Sequence, residues 1–173
     1  MGKNNKEKRK VRKKTKLAQL KKLPIADQVR PCDGCTECCT VLGVEEIEKD
    51  PWVPCDHLSH EGCGIYATRP KHCRSFYCLW QNGLGGSGDR PDKLGVIFAP
   101  TNGKTEFTKQ QEIQAYEIEP GAFDRPQAVM LSQRFVDRGK LVIGHTFGGH
   151  TFRFMGPSDK VVKARKWAEK NQI

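Results

Sequence analysis

The chain has 173 residues, with 30 Lys and Arg against 20 Asp and Glu, 36% hydrophobic and 8% aromatic residues, a share that supports only a modest core. No run of about 18 apolar residues occurs, which excludes a membrane-crossing helix. The opening MGKNNKEKRK has no apolar stretch behind its charges, so it does not read as a secretory signal, and the expected location is the cytoplasm.

The charge is not spread evenly. Residues 1–22 hold eleven Lys or Arg and one acid, Glu7, and this is the whole excess. From Leu23 onward 19 basic residues balance 19 acidic ones. Residues 1–24 therefore read as a disordered basic tail closed by Pro24. Such a tail could bind nucleic acid by releasing counterions from phosphates, through residues 1–22 here, though it lacks aromatic residues for stacking on bases. A solvated extension is the plainer alternative.

Residues 25–81 form a cysteine module. All eight cysteines of the chain lie between Cys32 and Cys78, a window of 47 residues. At this density, without an export signal, they point to metal–thiolate chemistry rather than to disulfides, and the bonds to metal would supply folding energy that the sparse aliphatic content cannot. A short helix is expected over Val44–Lys49, ended by Asp50-Pro51 because the residue before a proline avoids the helical region. A Gly-rich linker, 82–91, follows; it lacks the Gly-Lys-Ser/Thr ending of a phosphate-binding loop and reads as a hinge or surface loop.

Residues 92–173 read as a small α+β region. Strands are expected at Gly95–Ala99, Glu106–Thr108 and Ile113–Ile118, with a turn at Gly103. A helix fits Arg125–Arg138, with Asp124 as N-cap, Val129, Phe135 and Val136 inward, and Gly139 as its stop. Leu141–Thr146 and His150–Met155 make a hairpin around Gly148-Gly149. A last helix starts at a cap of Ser158 or Asp159 and carries Val161, Ala164 and Ala168 on one face, with Trp167 beside them. The expected fold class is thus α+β: a small metal-stabilised cysteine module with few regular elements, then a small mixed strand and helix region.

Candidate metal ligands are Cys32, Cys35, Cys38, Cys39, Cys55, Cys63, Cys73 and Cys78. The spacing Cys32-x2-Cys35-x2-Cys38 lets tight turns aim sulfurs at one metal while backbone amides donate to them. It also resembles the opening of a ferredoxin motif, except that Cys39 follows at once and no proline comes after it. Adjacent cysteines diverge by roughly 100° on a helix and about 180° on a strand, so Cys38 and Cys39 play different roles. One joins Cys32 and Cys35; the other faces a second metal or packs in the core. Four plus four thiols make two four-thiolate sites or one cluster with spare thiols, and spacing leaves that partition open. His57, His60 and His72 lie among the cysteines but are expected as loop histidines, since eight thiols suffice. His145 and His150 are expected on a strand face or in a turn.

The run Cys32-x2-Cys35-x2-Cys38-Cys39, then Cys55, then Gly62-Cys63-Gly64-Ile65-Tyr66-x2-Arg69-Pro70-x2-Cys73-Arg74-x-Phe76, resembles the YkgJ-type cysteine-cluster family, the zinc- or iron-chelating CxxCxxCC domain. The resemblance covers about residues 32–80. It implies a metal-binding protein that holds zinc or an iron–sulfur cluster, with 4Fe-4S the expected cluster type. The family includes the cysteine domain of flagellin lysine-N-methylases, which implies as an alternative a cluster-dependent protein-modifying enzyme; no glycine-rich strand–turn–helix for S-adenosylmethionine is found to accompany it, and no catalytic residue is assigned. A zinc-containing nucleic-acid-associated protein using the basic tail is a further alternative. Arg69 and Arg74 match the family motif, and their guanidinium groups are suited to offset the roughly two negative charges of a divalent metal held by four thiolates. Tyr66 and Phe76 are expected to form a small core.

Overall fold

A computed structural model describes residues 30–32, 34–76 and 78–173. The basic tail, and with it the nucleic-acid reading of residues 1–22, lies outside the described residues. The described residues combine helices and strands around a four-stranded sheet, in keeping with the α+β expectation. Among them no helix is long and apolar enough to cross a membrane.

The cysteine module contains few regular elements: α1 (Glu37–Val41), a two-residue hairpin of β1 (Leu58–Ser59) and β2 (Gly62–Cys63), and α2 (Lys71–Ser75). The expected helix over Val44–Lys49 is replaced by a single tight turn at Glu45–Ile47. Glu48 adopts a left-handed conformation (φ 50°), and an isolated bridge pairs Val44 with Lys49, so the segment folds back on itself before a helix can propagate. The helix forms instead over Glu37–Val41, around Cys38 and Cys39.

The following segment is held by specific bonds. Trp80 Nε1 donates to Gly86 O at 2.8 Å, Arg30 Nη2 to Gly85 O at 2.9 Å, and Gly86 N to Asp89 Oδ2 at 2.7 Å. Helix α3 (Pro91–Leu94) then opens on a proline and closes on Gly95 in the left-handed region (φ 81°).

Strands β3 (Val96–Pro100), β4 (Ile113–Glu117), β5 (Val142–His145) and β6 (Phe152–Met155) lie in that order in the sheet. β3 and β4 are antiparallel, β4 and β5 parallel, β5 and β6 antiparallel. The parallel pair needs a crossover, which α4 (Pro126–Val136) provides. The hairpin around Gly148-Gly149 forms as expected. The segment Glu106–Thr108 is not a strand: Thr105 and Thr108 share a hydroxyl hydrogen bond at 2.6 Å in a turn, and Phe107 packs against Trp167 with the rings tilted and their centroids 5.3 Å apart.

Side chains alternate between the two faces of the sheet. One face presents Val96, Phe98, Ile113, Ala115 and Val142, which pack with Ala128, Leu131 and Phe135 of α4. Pro126 suits the first turn of this helix, where its missing N–H has no partner to lose. Two details depart from expectation: Val129 is exposed and Ala128 takes its place inside, and Asp124 does not cap the helix but pairs with Arg153 at 2.7 Å. Gly144 keeps this face open, because a Cβ there would stand 3.1 Å from the Phe123 ring. The opposite face carries Leu141 and Ile143, packed with Ala164 and Val161 of α5 (Ser158–Asn171). Pro157 stands at the helix's cap position with no side-chain cap bond, so neither Ser158 nor Asp159 acts as the cap.

Candidate functional site

The second face of the sheet is shared. Through the register Ile97↔Tyr116↔His145↔Phe152 it carries a row of large side chains across all four strands. Tyr116 stacks on His145 at 4.6 Å, and His145 meets Phe152 at 4.9 Å. The cysteine module sits over the β3–β4 end of this row. Trp52 Nε1 donates to Glu117 O at 3.0 Å and its ring lies 6.2 Å from Tyr116. Gly149 makes the close approach possible: a Cβ there would be 2.7 Å from the Trp52 ring. Leu79 N donates to Phe98 O at 2.7 Å, tying the end of the module to β3.

Between the module and β3 lies a cavity of about 270 Å³, and all eight cysteines line it, with Pro91 and Ile97 on the sheet side. None of the eight forms a disulfide. Local structure delivers them one by one. Cys35 N donates to Cys32 O at 2.9 Å, closing the first Cys-x2-Cys turn. Helix α1 carries Cys38 and Cys39, which point in directions roughly 100° apart. Cys55 N donates to Cys39 O at 3.0 Å. The β1–β2 pair sets Cys63 opposite Leu58, α2 contains Cys73, and Cys78 follows. Among the described residues, no three His, Cys, Asp or Glu side chains stand close enough together to hold a metal ion as placed.

The charges around the thiols are uneven. Lys49 Nζ donates to Thr40 O at 2.9 Å and Leu42 O at 2.5 Å, near the end of α1, and its charge reaches Cys55, Cys39 and Cys73. Arg69 lies 3.5 Å over the Tyr66 ring, its buried Nε has no hydrogen-bond partner, and its charge reaches Cys39. The Cys39 thiol is lowered to about 7, chiefly because Cys38 donates a hydrogen bond to it, with Lys49 and Arg69 assisting. Cys38 is raised by that same bond and by burial. Burial raises Cys35, Cys73 and Cys78. Acids, Glu37 and Asp92, stand near Cys35 instead of cations.

The two arginines of the motif separate: Arg69 lines the cavity, whereas Arg74 is exposed. Tyr66 is 62% exposed, so it is a shelf for Arg69 rather than core. Phe76 is half-buried and lines the cavity. His57, His60 and His72 are exposed; His72 borders the cavity, where its backbone N–H donates to Glu46 Oε1 at 3.1 Å. His145 lies on the sheet as expected, with its Nε2 buried and unpartnered. Lys49, Gln81 and Trp52 carry roles that no sequence signal marks. Gln81 Nε2 donates to Cys32 Sγ at 3.0 Å while its Oε1 lies 4.0 Å from Cys78 Sγ. No family model, curated protein or solved structure matches this chain.

Proposed function

We propose that the protein is a metal-binding protein whose cysteine module holds zinc or an iron–sulfur cluster. The observation that carries this reading is the convergence of all eight cysteines, none of them in a disulfide, on one cavity. The donor set fits the group. Soft thiolates select zinc and iron–sulfur clusters over hard cations, and a metal held by four thiolates leaves a net negative charge that a cation must offset. Lys49 and the unpartnered Arg69 guanidinium Nε supply that offset at Cys39. The likeness of residues 32–80 to the zinc- or iron-chelating CxxCxxCC domain points the same way. Zinc would crosslink the loops of the module; an iron–sulfur cluster would add one-electron transfer.

The test is the metal and acid-labile sulfide content of the untagged protein purified without oxygen, read with its visible spectrum. Zinc without sulfide, or iron with matching sulfide and a brown chromophore, is the expected result, and Cys35→Ser and Cys73→Ser each lower the metal content by about half or more. A chain that carries no metal and takes up none when zinc, or iron with sulfide, is supplied sinks the reading.

A further inference from the structure

The eight thiols do not surround the cavity as one ring. Cys32 and Cys35 belong to one turn through the Cys35 N to Cys32 O bond. Cys78 joins Cys32 through Gln81, whose amide touches both sulfurs, and the two are also within electrostatic reach of each other. Cys38 lies within the same reach of Cys32 and Cys35. On the other side, the backbone bond from Cys55 to Cys39 holds those two residues together. Cys73 is within electrostatic reach of Cys39, Cys55 and Cys63, and the Lys49 ammonium faces Cys55, Cys39 and Cys73. The two sets meet at Cys38 and Cys39, neighbours in α1, where successive helical positions turn the sulfurs apart.

Resting on the reading above, we infer that the module holds two metal centres, one on Cys32, Cys35, Cys38 and Cys78 and the other on Cys39, Cys55, Cys63 and Cys73. Each set supplies the four thiolates that a closed tetrahedral site or a cubane cluster takes, and metal binding would draw them in from the looser placement they have here. The first is built from the Cys-x2-Cys-x2-Cys run and closed from the far end of the module, with the Gln81 amide N–H as a donor to Cys32 Sγ. The second is closed by the β1–β2 hairpin and α2, with Lys49 and Arg69 to balance its charge. Adjacent cysteines in α1 place the centres side by side, which is the structural use of the Cys38-Cys39 pair.

The experiment is titration of the reduced, metal-free full chain with Co²⁺ without oxygen, counting tight equivalents by the thiolate-to-cobalt absorption. The wild-type chain takes two equivalents. The double variant Cys35→Ser/Cys78→Ser, within one set, keeps one equivalent; Cys35→Ser/Cys73→Ser, across the sets, keeps none. One equivalent in the wild-type chain, or equal losses in the two double variants, overturns the partition while leaving metal binding intact; no cobalt bound by the wild-type chain overturns the parent reading as well. A second measurement needs no variant. When the two-cobalt wild-type protein is stripped stepwise with a chelator and alkylated, peptide mapping finds Cys32, Cys35, Cys38 and Cys78 released as one block and Cys39, Cys55, Cys63 and Cys73 as another. Release in any other grouping refutes the inference.

Discussion

At the scale of single residues, His145 shows how a position can be polar in the sequence and apolar in its demands. It is packed between the Tyr116 and Phe152 rings, with Nε2 buried and unpartnered, and burial lowers its pKa to about 4, against about 6.5 in an unfolded chain. The unfolded chain therefore binds a proton that the folded one refuses between those values. Stability from this residue is full above about pH 6.5 and drains away as pH falls toward 4, by up to about 3 kcal/mol. His145→Phe, which keeps the ring and removes the titration, should flatten that part of the profile. Urea midpoints of both proteins at pH 7 and pH 4.5 check it: the wild-type midpoint falls further than the variant's, and an equal fall in both refutes the assignment.

Among the elements, α5 is fastened to the sheet by a buried pair as well as by its apolar face. Glu112 is fully buried; its Oε1 lies 2.6 Å from Lys160 Nζ and its Oε2 accepts from Leu141 N at 2.8 Å, so it links the start of β4, the start of β5 and the first turns of α5. Lys160→Met leaves the carboxylate buried without its cation and should cost about 3–5 kcal/mol. Adding Glu112→Gln removes the stranded charge and should recover part of that loss, by chemical denaturation; a double variant less stable than the single one contradicts the argument. Helices α4 and α5 and the β5–β6 hairpin were legible in the sequence because their apolar spacing and the Gly148-Gly149 turn are local signals. Helix α1 was not, because Glu37–Val41 is too short to show a period. The same divide runs through the candidate site. The cysteines and Arg69 announce themselves by local spacing, whereas Lys49 and Gln81 earn their places only when residues such as Gln81 and Cys32, 49 positions apart, are folded together.

At the scale of the whole molecule, the thiol cavity and the sheet share a wall. Ile97 both lines the cavity and begins the row that runs through Tyr116 and His145 to Phe152. Trp52 is the clamp across this boundary, bonded to Glu117 O, set against Tyr116 and received by Gly149. It lies a few residues beyond Lys49, and its own backbone N–H donates to Val41 O at 3.2 Å, directly after the turn of α1 that carries Cys38 and Cys39. Trp52→Ala removes the indole bond, worth about 1 kcal/mol, and the ring packing together. The opposite face of the sheet keeps its own core against α4, centred on Phe98, Leu131 and Phe135, and has no need of the indole. The variant should therefore loosen the module without unfolding the sheet, since local openings follow units that share buried contacts. Hydrogen exchange resolves this: amides in 38–55 should exchange faster in Trp52→Ala by an order of magnitude, while those of 128–135 in α4 keep their protection. Faster exchange in both segments would mean that the module and sheet open as one unit; unchanged exchange in 38–55 would mean that Leu79 and the cavity wall hold the module in place without the clamp.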